Sequence, residues 1–384
     1  MINICDKSEC TGCAACFNVC AKGAVEFLKD DYGVKRAYIN ENLCVNCGLC
    51  KKVCPAINAP VFNSPKSAIA AYTKDKNDKK TVSSGGLATT IYKKIIGDGG
   101  VGYGVTANID KAEFIRIDSV RDAERLKGSK YVESIIGDTY KKLKQDLING
   151  KKCVFIGTPC QVAGLKNYLG RDYGKLVTID FVCHGTPSAE SFSEYLKHIT
   201  KNKQFDRFSF RGQNDYCLTI YNKDRVVYKK KEDEDAYFYS FLKNLAFKEN
   251  CYSCRYARRE RVSDLTIGDF WGIGKGALDG YKGKISLTLI NTEKGAELFK
   301  EISPLLRYEE RDIEEAINGN AQLRSPSAKS PLRNDFLKLY KSHGFVYALN
   351  VIGIAKKCRR NSIENKVKFL PRKLKKIAKR LFNK

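Results

Sequence analysis

The chain has 384 residues, 43% of them hydrophobic and 11% aromatic, and carries a formal net charge of +26. That length divides into two or three domains. No apolar run approaches the roughly 18 residues of a membrane span, and Met1 to Cys20 lacks the basic-then-apolar pattern of a secretory signal, so the expected location is the cytoplasm and the sixteen cysteines are not a disulfide framework.

Nine of those cysteines lie between Cys5 and Cys54. Cys10-x2-Cys13-x2-Cys16-x3-Cys20 and Cys44-x2-Cys47-x2-Cys50-x3-Cys54-Pro55 repeat one spacing, that of bacterial two-cluster ferredoxins. Three thiolates at i, i+3 and i+6 wrap one face of a 4Fe-4S cubane, and the fourth reaches the other cluster. The spacing therefore predicts one cluster on Cys10, Cys13, Cys16 and Cys54 and another on Cys44, Cys47, Cys50 and Cys20. Zinc competes for Cys-x2-Cys pairs, but four cysteines in eleven residues leave too little chain for separate zinc knuckles. Gly12 and Gly48 let backbone amides approach the cluster sulfides, Ala21 stands where the second run has Pro55, and Cys5, outside both runs, reads as a small core residue.

Pro55 to Ser67, with Pro55, Pro60 and Pro65, reads as a linker. Beyond it the pattern predicts a strand at Ile69–Tyr72, a helix at Leu87–Ile96 after Ser83-Ser84-Gly85-Gly86, and a strand at Val101–Ala107. Strand, turn and helix then recur twice, as Cys153–Ile156 with Gln161–Leu169 and Leu176–Val182 with Ser188–Ile199, which predicts a parallel α/β sheet. Both turns contain Gly-Thr-Pro. Phe205–Phe210 and Leu218–Tyr228 alternate like strands, the second broken by a turn at Asn222-Lys223-Asp224, and Lys229 to Asp235 reads as a solvated loop.

Four further cysteines fall at telling places. Cys160 and Cys183 each lie just beyond a predicted strand's carboxyl end, where open α/β sheets bind ligands, and Cys251-x2-Cys254 completes a set of four. From the residues alone a third cluster, a structural zinc and plain packing all remain open. His184 reads either as a proton donor or as a structural histidine. Ser83-Ser84-Gly85-Gly86 precedes a helix and so offers amides and hydroxyls to a phosphate, whereas Gly97 to Gly104 follows that helix and reads as a cap and turn. Cys153, Cys217 and Cys358 have no such spacing and read as structural.

With Ser84-Gly85-Gly86, Gly128-Ser129-Lys130-Tyr131-Val132, Gly157-Thr158-Pro159-Cys160-Gln161, Cys183-His184-Gly185, Cys251-x2-Cys254 and Asp264-Leu265-Thr266-Ile267-Gly268-Asp269-Phe270-Trp271-Gly272 in view, Met1 to about Leu323 resembles a known family. It is that of the coenzyme F420 hydrogenase and dehydrogenase beta subunits, in the version with a fused N-terminal ferredoxin domain. The resemblance implies an iron-sulfur flavoprotein oxidoreductase. It makes Cys160, Cys183, Cys251 and Cys254 ligands of a third 4Fe-4S cluster and puts FAD near Ser84, Gly85, Gly86, Lys130, Thr158 and Gln161. Electrons would pass between the clusters and FAD, to or from a small organic substrate, a deazaflavin carrier or a redox partner protein. The alternative is a non-catalytic electron-transfer subunit of a larger redox or polysaccharide-biosynthesis complex.

The expected architecture is α/β with α+β character. A two-cluster ferredoxin domain (1–57) and a linker (58–67) precede a mixed or parallel flavin- and iron-sulfur-binding region in two parts (68–145 and 146–323) and a helical tail (324–384). From Lys356 onward thirteen Lys or Arg stand against the single Glu364. After Pro371 the positions Leu374, Ile377, Ala378, Leu381 and Phe382 share one helical face, a pattern suited to the surface of an anionic membrane. Contact with the inner face of a membrane, or packing of this stripe on the domain, are the two readings of that tail. Nucleic acid is not expected, since the excess charge is local and no nucleic-acid module accompanies it.

Overall fold

The computed structural model describes residues 2–201, 203–211, 215–223 and 225–368. A short antiparallel sheet of strands β1 (Ile2–Asn3), β2 (Val25–Lys29) and β3 (Lys35–Ile39) backs the N-terminal cysteine loops. Each cysteine run opens a short helix, Ala15–Val19 and Leu49–Lys52. The two runs share an unusual backbone. Gly12 and Asn46, just before the second cysteine of each run, have φ of 72° and 55°, and Ala14 and Gly48, just after it, have φ of 60° and 73°. Left-handed residues on both sides of one cysteine turn the chain tightly there, and Ala14 and Asn46 take up what glycine does at the matching place in the other run.

The segment expected to be a linker is pinned down. Asn63 and Arg261 exchange two backbone hydrogen bonds of 2.8 Å, and the Lys66 amide bonds to the Ile290 carbonyl. It leads into β4 (Ser67–Thr73), followed by β5 (Val101–Asn108), β6 (Lys111–Ile117), β7 (Ser134–Ile135), β8 (Cys153–Gly157) and β9 (Leu176–Phe181). Strands β10 (Arg207–Arg211), β11 (Tyr216–Asn222) and β12 (Arg225–Lys231) form a separate antiparallel sheet, and β13 (Leu265–Asp269), β14 (Ser286–Ile290) and β15 (Leu306–Arg311) complete the main one. Among the described residues the main sheet has nine strands in the order β15-β4-β14-β13-β9-β8-β5-β6-β7.

Its centre, β13, β9, β8 and β5, is parallel, as the strand-turn-helix pattern requires, and both flanks are largely antiparallel. Strands from both sides of position 145 share this one sheet. Buried polar pairs lock β9 to β13. The Asp264 carboxylate accepts from the Thr178 amide and hydroxyl at 2.8 and 2.7 Å, and Arg261 pairs with fully buried Asp180 at 3.0 Å. The aspartate that opens the Asp264-Leu265-Thr266 motif is thus a structural residue.

Two readings are corrected. Gly97 does end a helix, Leu87–Gly97, but Gly102 and Gly104 lie inside β5, where a side chain at Gly104 would come within 2.1 Å of the Tyr92 hydroxyl. Lys229 to Asp235 is not simply a solvated loop, because Lys229–Lys231 finishes β12 and Asp235 is fully buried. Its carboxylate accepts from the Phe238 amide, which caps the helix Ala236–Leu242, and from the Tyr195 and Tyr228 hydroxyls.

The C-terminal helices Arg333–His343, Phe345–Val351 and Ile354–Lys368 close over the aromatic side chains of the β10–β12 sheet and its neighbours. The part of the basic tail from Lys356 to Lys368 is therefore docked. Ile354 and Cys358 are buried, and the Asn361 amide donates to the Asp233 carbonyl. The amphipathic stripe expected after Pro371 lies outside the described residues.

Candidate iron-sulfur and cofactor site

Cys10, Cys13, Cys16 and Cys54 are close electrostatic neighbours, and Cys50 neighbours Cys44 and Cys47. Cys20 packs in one apolar cluster with cysteines of both sets, Cys16 and Cys54 as well as Cys44 and Cys50. The second group is the more open, with Cys47 exposed. Cys5 is more than filler. Its thiol hydrogen-bonds to Cys10 and Cys54, which lowers the pKa of those two and raises its own. Burial pushes Cys13 the other way, to about 12.

Cys160, Cys183, Cys251 and Cys254, brought from three separate turns, also converge. Cys160 sits in the first turn of the helix Pro159–Leu169, 3.1 Å from the Thr158 hydroxyl, and Cys183 follows β9. Cys251 closes a 3-10 turn, its amide bonded to the Lys248 carbonyl. Burial raises the thiols of Cys183, Cys251 and Cys254, the last to about 12. Four thiols and no carboxylate or imidazole form the donor set that iron-sulfur clusters use.

This third group touches the first. Cys13 packs against Gly164, where any side chain would come within 2.8 Å of the Cys13 sulfur, and Gly164 is on the same helix as Cys160. Cys160 and Cys13 are electrostatic neighbours as a result. Lys248 closes the junction. It is 5% exposed and donates to the Thr11 carbonyl and to Glu133, each at 2.7 Å.

The third group faces a cavity of about 350 Å³ at the carboxyl ends of β8, β9 and β13, where open α/β sheets place their ligands. Two helix N-termini, those of Leu87–Gly97 and Pro159–Leu169, also reach it, and each favours an anion. Ser84, Gly86, Lys130, Thr158, Gln161 and His184 all line the cavity, but Gly85 does not. Gly85 is packed into the sheet, where a side chain would come within 2.3 Å of the Ala71 carbonyl. Gly86, with φ of 89°, starts the helix at the cavity wall.

Lys130 donates to the Leu126 and Lys127 carbonyls, and burial lowers its pKa to about 7. The Gln161 side chain caps its own helix, accepting from the Thr158 amide while donating to the Ser134 hydroxyl. Burial lowers the His184 pKa against the opposing pull of Asp269, and its carbonyl accepts from Ser327. Two buried polar atoms on lining residues, Asn250 Oδ1 and Arg211 Nε, have no partner among the described residues. A cavity with helix N-termini, a buried lysine and the unpaired Arg211 Nε donor fits an anionic ligand such as a dinucleotide. Sequence reasoning missed Glu133, Lys248, Asn250 and Arg211, since each is a common surface residue type at no distinctive spacing.

Two segments of the chain match known families. Residues 9–58 match the 4Fe-4S dicluster domain, and residues 150–316 match the family described as the C terminus of the coenzyme F420 hydrogenase/dehydrogenase beta subunit. The coenzyme F420-dependent sulfite reductase of Methanocaldococcus jannaschii is 24% identical over 310 residues, which cover 77% of this chain and 46% of that protein. One of the subunits of the F(420)H(2) dehydrogenase of Methanosarcina mazei is 24% identical over 162 residues, 40% of this chain and 46% of that one. The chain thus spans about half the length of these two relatives. A chain of the F420-reducing [NiFe] hydrogenase complex from Methanosarcina barkeri aligns in three dimensions over 80% of this chain and 94% of its own, with 16% identity and a TM-score of 0.46.

Fold, cysteine groups and relatives together define an iron-sulfur electron-transfer protein related to F420-dependent oxidoreductases. Within that class the two matched segments set a 4Fe-4S dicluster domain ahead of a region similar to the C terminus of the coenzyme F420 hydrogenase/dehydrogenase beta subunit.

Proposed function

We propose that the chain is an FAD-dependent oxidoreductase. In this reading Cys160, Cys183, Cys251 and Cys254 hold a third 4Fe-4S cluster between the ferredoxin domain and a flavin in the cavity. The observation that carries it is the packing of Cys13 on Gly164, which sets a thiol of the first group beside Cys160 of the third, itself on the cavity wall. When bound, such groups pass single electrons through the clusters and exchange two at the flavin.

The chain's own residues supply the rest. The two helix N-termini and Lys130 hold negative charge, and Gly86, with its left-handed backbone, starts one of those helices at the cavity wall. His184 lines the cavity and would exchange a proton with substrate there, and half-exposed Trp271, also on the cavity wall, offers an aromatic face to a planar small substrate or deazaflavin carrier.

Anaerobic purification with metal, sulfide and flavin analysis tests this. The reading expects about twelve iron and twelve sulfide per chain, four of each per cubane, with one FAD. Cys254→Ser should lose about a third of the iron and keep the ferredoxin signals. Unchanged iron in that variant excludes Cys254 as a ligand, and flavin-free protein removes the FAD reading. Turnover of a substrate by the isolated chain separates an enzyme from the second reading, an electron-transfer subunit, which the relationship to part of a dehydrogenase complex supports.

The basic tail is proposed to bind anionic membrane surfaces peripherally. Lys356, Lys357, Arg359 and Arg360 are exposed on the docked helix Ile354–Lys368 and extend the charge of the residues that follow. Each Lys or Arg near such a surface contributes about 1 kcal/mol. Truncation after Lys368 leaves that helix in place. It should weaken sedimentation with acidic-lipid vesicles at low salt without changing flavin content, and a full-length protein that ignores the vesicles contradicts the proposal.

A further inference from the structure

Lys248 belongs to two sites at once. Its backbone serves the third cysteine group, since its carbonyl accepts from the Cys251 amide and its amide donates to the Thr186 carbonyl in the loop that follows Cys183. Its side chain serves the first, since Nζ donates to the carbonyl of Thr11, between Cys10 and Cys13. Glu133 meets it there at 2.7 Å, and the Glu133 amide is fixed by the Pro187 carbonyl. Gly12 leaves the space: a side chain on it would come within 3.1 Å of the Glu133 carboxylate. With Lys248 5% exposed, water screens this charge poorly.

We propose that Lys248 is a positioning residue shared by two redox centres, its ammonium setting the potentials of the clusters on Cys10, Cys13, Cys16 and Cys54 and on Cys160, Cys183, Cys251 and Cys254 together. The cluster on Cys20, Cys44, Cys47 and Cys50 is left outside its influence. A cluster gains one negative charge on reduction, so a fixed cation nearby favours the reduced form and raises the potential. Glu133 offsets part of that effect while it holds the ammonium in place. Glu133, bonded to Nζ at 2.7 Å, keeps the ammonium charged and fixed at the junction. The opposite end of the ferredoxin domain is open to solvent at Cys47. The junction thereby raises the two potentials that meet there relative to the third.

The inference rests on the third-cluster reading, and a wild-type protein with eight irons would remove that reading before any potential is measured. The test is redox titration of the full-length holoprotein, followed by electron paramagnetic resonance of each cluster. Glu133→Gln should move two of the three potentials upward and leave the third in place. The double variant Glu133→Gln with Lys248→Met should move the same two downward from there, and Lys248→Arg should keep both near wild type. If the double variant fails to retain iron, Glu133→Gln alone decides. A shift in only one cluster, no shift, or an equal shift in all three would overturn the assignment.

Discussion

The two halves of this molecule build cysteine sites in opposite ways. In the ferredoxin half all eight ligand candidates lie between Cys10 and Cys54, and the backbone that presents them is written locally, in left-handed residues around Cys13 and Cys47. In the α/β half Cys160, Cys183, Cys251 and Cys254 meet only because β8, β9 and β13 are adjacent in the sheet, and buried pairs such as Arg261 with Asp180 hold that order. A local site depends on its loops. A convergent site depends on its whole sheet, so damage far from the cysteines should disperse it.

Gly85→Val tests this difference most severely. Its side chain would press on the Ala71 carbonyl and the Ser286 amide, backbone atoms that cannot step aside. Overpacking of this kind costs about 1–3 kcal/mol. Urea unfolding of the α/β half should shift accordingly, with flavin and the third cluster lost together while the two ferredoxin signals remain. Loss of all three clusters at once would mean that the halves do not fold separately. Gly86→Val is milder for the sheet, since its nearest neighbour is the Thr73 side chain, but it spoils the left-handed start of the helix at the cavity wall. Its main effect should be lower flavin content.

A smaller effect concerns pH. Folded Lys130 releases its proton near 7, against 10.5 ordinarily. The unfolded chain therefore binds the extra proton between those values, and Lys130 makes the flavin-free protein more stable as pH rises through that window. A bound diphosphate opposes the release, so FAD affinity should weaken as pH rises above about 7 and lose this dependence in Lys130→Met. Equilibrium dialysis across that range reads it, and identical profiles would place Lys130 away from the flavin.

The same contrast explains what could be read from the sequence. The repeated cysteine spacing identified the ferredoxin half from residues alone, and the residue pattern found the flanking strand at Ile69 and the central strands at Val101, Cys153 and Leu176. The third group needed a family resemblance, because neither Cys160 nor Cys183 has a partner nearby in sequence. Glu133 and Lys248 were invisible, being 115 residues apart and joined only by the fold. Gly85 and Gly86 look equivalent as letters, yet one faces the sheet and the other the cavity. Cys5 passed for filler because its partners, Cys10 and Cys54, come together only when the loops close.

The central claim is that the ferredoxin half is wired to the third group through Cys13 and Cys160. Electron paramagnetic resonance of the anaerobically reduced holoprotein tests it most directly, because neighbouring paramagnetic clusters broaden each other's signals. The account predicts a coupled three-cluster spectrum that collapses in Cys254→Ser to the simpler two-cluster pattern of the ferredoxin half. Identical two-cluster spectra from wild type and Cys254→Ser would contradict it.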